Sequence, residues 1–272
     1  MDATELANDP KASGRFSNII FIGFMVFATF FGAGNMIFPA YLGVVGGSQW
    51  LSGLVAFVLA DAVLGVLALA ASAKFPHTVM GTYYRAGFKF MVIWGGIGIF
   101  IGSVIAVIPR TGLVTFESGI GPIANLITGS KGLPGAGLFV PFYIIYYGLA
   151  LFCVINPTKI IDVLGKFLTP TLIIILFILY IMGYVAGGTG VREGPIPELV
   201  AAYNGSVFGM GLSEGYQTMD SFTGALFGLV IINALAAKGY SKASEQQKMI
   251  YESGVVATIA CFVLYLGLTG LG

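Results

Sequence analysis

Five ionisable side chains lie inside segments that are otherwise apolar, and their types limit the chemistry that the chain can perform. They are Asp61, Arg110, Glu117, Glu214 and Asp220. A charged group inside a membrane is costly, so each one is a hypothesis about function by default. Covalent catalysis would also need a nucleophile with a base, or a set of metal ligands. The single histidine, His77, lies in a polar stretch, and no Ser-His or Cys-His arrangement is visible. The pattern therefore indicates binding of ions or polar small molecules.

Asp61 stands in the middle of the apolar run Leu59-Ala60-Asp61-Ala62. An unpaired carboxylate is implausible in such a run. The group must be protonated, paired with another charge, or hydrogen-bonded to exposed amides of a broken helix. We favour the exposed amides and keep a proton-carrying role open.

Glu214 and Asp220 are six residues apart, so a continuous helix would place them on opposite faces. A break in the helix would remove that restriction. Glu214 would then hydrogen-bond unwound backbone N–H groups or adjust the charge of a cavity, and the alternative is that it caps a half-helix.

Arg110 and Glu117 are seven residues apart, which is two turns along one helical face. They could pair across an outer vestibule, or the arginine could extend to the headgroups. We expect all five ionisable residues to support or gate a site rather than to contact a substrate directly.

Glycine interrupts two of the apolar segments near their midpoints. The first interruption reads Phe31-Gly32-Ala33-Gly34-Asn35, and the second runs from Gly209 to Gly215. Glycine disfavours the helix, and non-helical backbone inside a membrane must be buried in protein or line a cavity. Two such breaks indicate a transporter binding site. The Asn35 amide oxygen suits Na⁺, and the same side chain is also expected to cap the second half-helix, whose free N–H groups favour a carboxylate.

The elements that must position these residues are membrane-spanning helices. Hydrophobic residues form 57% of the 272-residue chain and charged residues only 9%, against about 25% in soluble domains. Apolar runs of about 20 residues can cross the hydrocarbon core. We predict seven spans in an all-α polytopic membrane protein: 17–45, 51–73, 91–116, 138–155, 167–187, 200–236 and 249–270.

The distribution of Lys and Arg predicts the orientation of these spans. The three basic residues Arg110, Lys131 and Arg192 fall on one side. Ten fall on the other: Lys11, Arg15, Lys74, Arg85, Lys89, Lys159, Lys166, Lys238, Lys242 and Lys248. The N-terminus is therefore expected in the cytoplasm, and Gly272 is expected on the outer side.

Several motifs occur in the order typical of one transporter family. They are Ile108-Pro109-Arg110-Thr111, Phe116-Glu117, Asn156-Pro157-Thr158-Lys159, Gly165-Lys166-Phe167-Leu168-Thr169-Pro170 and Glu214-Gly215-Tyr216-Gln217-Thr218-Met219-Asp220. With the stretch from Phe31 to Pro39, they make the chain resemble the branched-chain amino acid:cation symporters of bacteria over about 17–270. This resemblance implies the fold of the amino acid–polyamine–organocation superfamily, which has two inverted five-helix repeats and broken first and sixth helices.

The resemblance also implies a function and site roles. The family imports Leu, Ile and Val with Na⁺ or H⁺ across the bacterial inner membrane, with no other cofactor. By similarity to the wider fold, the amides of Ala33 and Gly34 would hold the substrate carboxylate. Gly211 and Ser213 would face the amine or an ion, while Met210 and Tyr216 would shape an apolar pocket or simply pack. The cation site would draw on Ala28, Phe30, Phe31 and Asn35.

Two features depart from the family pattern. The second span is apolar in the family, whereas this chain has Asp61 there, so the coupling ion is left open. The family usually has twelve spans, so we expect a partial chain: one transmembrane domain with the first repeat at 17–187 and the start of the second at 200–272. An ion channel, an intramembrane enzyme and a non-transporting fragment are the alternatives. The first would need a selectivity filter and the second a catalytic group, and neither is visible.

Overall fold

The structure, a computed structural model, describes residues 10–73, 84–129, 136–155, 169–186 and 192–272. Within these ranges every regular element is helical, as expected for an all-α membrane protein. The chain forms two compact units, Met1–Arg85 with Ile178–Gly272, and Ala86–Phe177. This division differs from that of the two predicted repeats, whose boundaries stay a prediction. His77 lies outside the described residues.

The first predicted break is present. Two residues separate helix α1 (Pro10–Phe30) from helix α2 (Ala33–Gly46), and the second of them, Gly32, is extended. The Phe31 N–H still donates to the Phe27 carbonyl at 2.8 Å, so the helical ladder stops at Phe31. The first turn of α2 therefore starts a new set of N–H groups without helical acceptors.

The second predicted span is a helix with an irregular centre. It consists of α3 (Trp50–Val58), a π-helical turn (Leu59–Val63) and α4 (Leu64–Ser72). A 3₁₀ turn (Gly47–Gln49) precedes it. Single π turns are rare and occur often at functional sites. This one carries Asp61 at its centre.

The unit Ala86–Phe177 begins with one long helical run. It alternates α5 (Phe88–Phe90), α6 (Gly96–Ile99), α7 (Ile108–Thr115) and α8 (Gly121–Thr128) with π-helical segments. The run extends well beyond the predicted end of the third span at residue 116. Helix α9 (Ala136–Ile155) follows, and α10 (Thr169–Ala186) contains the boundary between the two units.

Aromatic rings hold this unit together. Phe116 lies 4.9 Å from Phe139 and 5.2 Å from Phe142, measured between ring centroids. The Tyr147 hydroxyl donates to the Ile108 carbonyl at 2.8 Å, so α9 also binds the backbone of α7.

The sixth predicted span is also broken, but not among its glycines. After α11 (Pro197–Val200) and a 3₁₀ turn (Ala201–Tyr203), α12 (Val207–Gln217) runs straight through them. The break lies at Thr218 and Met219, before α13 (Asp220–Ala237). Met219 adopts a left-handed conformation with φ of 64°, which a non-glycine residue adopts only under constraint. The predicted position of this break was therefore wrong.

The glycines of α12 serve close packing instead. A Cβ on Gly211 would clash with the Gly53 carbonyl oxygen, and one on Gly215 would lie 2.5 Å from the Phe57 carbonyl oxygen. These two glycines are four residues apart and share one helical face. Small residues let two membrane helices approach closely, so this face brings α12 against α3.

Helix α14 (Ala243–Leu271) begins before the predicted start of the seventh span and completes the unit. At its N-terminal part, Glu252 accepts two hydrogen bonds from Arg15 Nη2, at 2.6 and 2.7 Å, which tie α14 to α1. Further along, a Cβ on Gly43 would clash with the Thr269 carbonyl oxygen, so α14 also packs against α2.

Four stretches of the described residues are long and apolar enough to cross a membrane. They are Ala33–Ser72, Phe88–Ile127, Val207–Ala237 and Ala243–Leu271. Three shorter apolar helices cover Gly14–Phe30, Gly137–Phe152 and Ile174–Val185. The chain is thus an all-α polytopic membrane protein. The count of seven spans and their orientation stay predictions.

We expect Gly211→Ala to destabilise the protein and Gly209→Ala, two residues away on α12, to leave it intact. Alanine raises helix preference by about 1 kcal/mol at both positions. Only at Gly211 does the new methyl group meet backbone, where overpacking costs about 1–3 kcal/mol. At Gly209 the nearest atoms belong to the Ser206 side chain, 3.5 Å away. Thermal unfolding in detergent, followed by circular dichroism, measures both variants. Equal midpoints for the two variants would contradict the packing role.

Candidate substrate and cation site

Five polar side chains converge where the breaks after α1 and α12 meet the π-helical turn of the second predicted span and helix α14. We call them the break cluster: Asn35, Asp61, Thr218, Asp220 and Tyr265. All belong to the unit formed by Met1–Arg85 and Ile178–Gly272. Asp61 and Tyr265 have no exposed surface, and Asn35 and Asp220 are exposed by only 2% and 3%. The cluster is therefore buried polar structure whose hydrogen bonds must be made internally.

Asn35 is the centre of the cluster. Its Nδ2 lies 3.0 Å from Oδ1 of Asp61, 3.0 Å from Oδ2 of Asp220 and 2.7 Å from the Tyr265 hydroxyl oxygen. The first turn of α2 places this side chain beside the start of α13. One amide group therefore bridges the two broken helices.

Asp61 is held by side chains rather than by backbone amides. The Tyr265 hydroxyl donates to its Oδ2 at 2.7 Å, and the Thr218 hydroxyl lies 2.7 Å from its Oδ1. The prediction that exposed amides of a broken helix would bind Asp61 was wrong in that detail. Its partners do come from the breaks, because Asn35 and Thr218 flank them and their side chains reach further than the backbone.

The Asn35 amide oxygen points away from the acidic side chains. It accepts the Gly32 N–H at 3.2 Å and so caps the first turn of α2. The structure shows the expected cap. The amide oxygen keeps a second lone pair, so its expected role in binding a cation stays a prediction. The amide nitrogen faces the carboxyl groups instead.

The two breaks adjoin each other. A Cβ on Gly34 would lie 3.7 Å from Cγ2 of Thr218. Gly34 is half-buried and Ala33 is exposed, and both belong to the first turn of α2. Their N–H groups lie at the positive end of that helix, which favours an anionic group.

The other expected substrate residues, on α12, do not converge on the break cluster. Met210 is fully buried in a packed group with Val45, Val200 and Val207, near the opposite end of α2 from Gly34. Gly211 packs against the backbone of α3. Met210 thus packs, which is one of its two expected roles, because α12 remains helical here and turns this face toward apolar neighbours; the pocket-lining role stays a prediction.

Two further residues of α12 differ in exposure. Ser213 is half-buried, while Tyr216 is 64% exposed. Their expected roles beside a substrate stay predictions.

Glu214 has its own partners. It is buried, and it accepts hydrogen bonds from the Tyr203 hydroxyl at 3.0 Å and from Gln217 Nε2 at 3.2 Å. Both partners are side chains on the same connected segment. Glu214 does not bind unwound backbone, contrary to expectation, because the helix continues past it to Gln217.

The residues expected to supply cation-binding carbonyls form the end of α1. Phe30 is buried, and its ring lies 3.0 Å from a Cβ placed on Gly65. Phe31 stacks on Phe27, and its ring centroid lies 6.5 Å from that of Tyr265, which places it beside the break cluster. Ala28 is exposed. Carbonyls at a helix C-terminus lack helical donors and lie at its negative end.

Arg110 and Glu117 belong to the unit Ala86–Phe177, on α7 and on the π-helical turn that follows it. Both are exposed. Their pairing and any gating role stay predictions.

Sequence reasoning missed Tyr265 and gave Thr218 no role. The available signal was the same for both: a hydroxyl group in an apolar segment must find a partner when it is buried. Nothing in the sequence indicates that Tyr265, 204 residues from Asp61, would be that partner. Among the described residues, no group of three or more His, Cys, Asp or Glu could hold a metal ion.

Comparison with known proteins agrees with the resemblance found in the sequence. Residues 15–272 match the family model described as branched-chain amino acid transport protein. The branched-chain amino acid permease BraB of Bacillus subtilis is 32% identical over 96% of this chain and 56% of its own length. A protein of Staphylococcus saprophyticus, provisionally named a branched-chain amino acid carrier protein, is 33% identical over 94% of this chain and 55% of its own.

The chain therefore spans about half the length of the curated relatives it matches. No solved structure matches it. The relatives are named for transport, and their family is a family of transporters rather than enzymes. With a family match over nearly its whole length, this chain belongs to the branched-chain amino acid transport protein family.

Proposed function

We propose that the protein is a secondary active transporter that imports Leu, Ile and Val together with Na⁺ or H⁺. The observation that carries this proposal is the meeting of two helix breaks at a buried polar cluster. Discontinuous helices that meet in mid-membrane form the substrate and ion sites of many transporters. Family membership supports the class of substrate, since relatives are named for branched-chain amino acids.

The first turn of α2 is the proposed site for the substrate carboxylate. The N–H groups of Ala33 and Gly34 lie in that turn, at the positive end of the helix dipole. Gly34 also adjoins Thr218, so a substrate bound there would contact both broken helices. A difference of one methylene among substrates is worth only about 1–3 kcal/mol, so Leu, Ile and Val compete for this site.

We place the proposed cation near the end of α1 and the break cluster. The carbonyl groups of Ala28, Phe30 and Phe31 belong to the negative end of α1, and Asp61 and Asp220 supply carboxyl groups beside it. A cation in this region would lower the free energy of the buried negative charge. Binding of substrate and cation would thus stabilise the same arrangement of the two breaks.

Transport would proceed by alternating access. One group of helices moves against the other while substrate and ion stay near mid-membrane. Gly32 and Met219 are the proposed hinges, because they are the positions at which the two helices are interrupted. We place the protein in the bacterial plasma membrane with its N-terminus in the cytoplasm.

Counterflow of labelled leucine in proteoliposomes tests this function. We expect saturable leucine exchange that unlabelled Ile and Val inhibit, and net uptake when a Na⁺ or H⁺ gradient is imposed alone. Liposomes that contain an unrelated membrane protein are the control. Ion currents without saturable leucine exchange would support a channel and contradict the proposal. Absence of both would identify the chain as a fragment that does not transport by itself.

Asn35→Ala is expected to reduce leucine uptake more than 10-fold. The substitution removes the amide that bridges Asp61 and Asp220 and the cap on the Gly32 N–H. Leaving buried acceptors without a donor costs about 1–3 kcal/mol each, and a 1.4 kcal/mol loss is a factor of 10.

The matched control is Asn18→Ala on α1. Asn18 lies outside the break cluster, and its one hydrogen bond within the described part of the chain is a long one of 3.4 Å to the Tyr240 hydroxyl. Uptake by this variant should stay close to that of the wild type. Equal uptake by the two variants would remove Asn35 from the proposed site.

A further inference from the structure

Asp61 and Asp220 form a close pair of buried carboxyl groups. Each has an oxygen 3.0 Å from the same atom, Asn35 Nδ2. Two carboxylates that share one buried site repel each other, and this repulsion favours a proton on one of them.

The hydrogen atoms of the neighbouring groups are too few for the contacts that they make. Asn35 Nδ2 carries two hydrogens and has three oxygen atoms within 3.0 Å. The Thr218 hydroxyl carries one hydrogen, yet it lies 2.7 Å from Asp61 Oδ1 and 2.6 Å from the Gly215 carbonyl oxygen. The single Tyr265 hydrogen is used on Asp61. The donors therefore have no hydrogen to spare: Asn35 can give one to each acid and Tyr265 one to Asp61, and none of them carries a charge that would offset two carboxylates.

No basic side chain among the described residues compensates the pair. Arg15 binds Glu252, and Lys238 lies over the Phe21 ring. The groups that contact the pair are Asn35 from α2, Thr218 from the second break and Tyr265 from α14. All of these are neutral in their ordinary states. Two adjacent negative charges in such surroundings would repel each other without relief.

We infer that Asp61 and Asp220 together bind one proton, and that this shared proton is the cation that the proposed transport couples to. The inference rests on the proposed function for its second half only. A proton supplies the positive charge that the pair lacks. It comes from solvent onto one carboxylate oxygen and leaves to solvent again, with no other bond changed.

The groups around the pair fit a proton better than Na⁺. Na⁺ is a hard cation and needs a shell of oxygen ligands with lone pairs directed at it. Here Asn35 turns its amide hydrogens toward the pair, and Tyr265 and Thr218 can add hydroxyl hydrogens. The pair is thus surrounded by donors, which suit a singly charged acid–carboxylate pair.

The position of the pair connects the proton to movement. Asp220 is the first residue of α13, directly after the break at Met219, and Asp61 lies on the π-helical turn. With a proton, the two groups attract each other and hold α13 against the π-helical turn that carries Asp61. Without it, two negative charges repel, and the second break is free to move. Gain and loss of one proton would thereby shift the protein between two arrangements.

Infrared spectroscopy of the purified chain in liposomes tests the proton without any need for transport. A protonated carboxylic acid has a carbonyl band that a carboxylate lacks, and hydrogen–deuterium exchange shifts it. We expect this band in the wild type at neutral pH and its loss in both Asp61→Asn and Asp220→Asn. Each substitution leaves a single carboxylate with no neighbouring negative charge, so that carboxylate needs no proton.

Glu214→Gln is the matched control, since Glu214 is also buried but has its own donors. Its spectrum should keep the band. Absence of the band in the wild type, or its survival at full intensity in both aspartate variants, would overturn the inference. Loss of the wild-type band on replacing choline chloride with NaCl would also overturn it, because Na⁺ would then be the occupant.

If size-exclusion chromatography shows that neither aspartate variant folds, the same measurement is made on Tyr265→Phe. The variant removes one hydrogen bond to Asp61, so we expect the band to move without disappearing. A band that stays in place would contradict the assignment. The transport result is judged separately. If the band is assigned to the pair but the chain does not exchange leucine, the proton site stands and the proposed function is rejected.

Discussion

Two carboxyl groups buried side by side are the constraint on which the rest of this unit depends. Asp61 and Asp220 share the amide nitrogen of Asn35, and Asp61 also binds the Tyr265 hydroxyl. Removing an ionised group from water costs several kcal/mol unless it is paired and hydrogen-bonded. Donors from α2, from the second break and from α14 must therefore all reach one place. Each of these elements carries an irregularity or a polar side chain that serves this requirement.

The close packing of helices makes this convergence possible. Gly211 and Gly215 bring α12 against α3, because any Cβ at either position would meet the backbone of α3. Helix α12 then ends beside the π-helical turn, where Thr218 reaches Asp61. The glycine face thus sets the distance between two helices, and the left-handed Met219 sets where the chain turns away. Packing and the break are separate features, although they lie in the same short segment.

The geometry also supports the proposed transport in physical terms. A first turn of α2 with free N–H groups lies next to a break lined by carboxyl groups, so opposite charges of a zwitterion would find complementary ends within one small region. The family match covers residues 15–272, which include both breaks and every member of the cluster. The part of the relatives that this chain matches is about half of their length. Within that half, the cluster is made entirely by residues of one compact unit.

The sequence by itself determined the class of protein, its all-α membrane-spanning character and the residues of interest. The low content of charged residues and the long apolar runs indicate membrane-spanning helices, because backbone polar groups in lipid must form their hydrogen bonds within the protein. The motif order identified the family, and the cost of charge in apolar segments singled out Asp61 and Asp220. The first break was predictable because Gly32 has low helix preference and no competing role in packing.

Only the tertiary structure decided which of these residues meet. The second group of glycines looked like a break in sequence, but α3 supplies contacts that keep α12 helical, so the break moved to Thr218 and Met219. Tyr265 became a partner of Asp61 because α14 packs beside the π-helical turn, over a separation of 204 residues. Local preference is encoded residue by residue, whereas contacts between distant helices depend on the packing of whole faces. For that reason the acids could be found in the sequence, and their pairing could not.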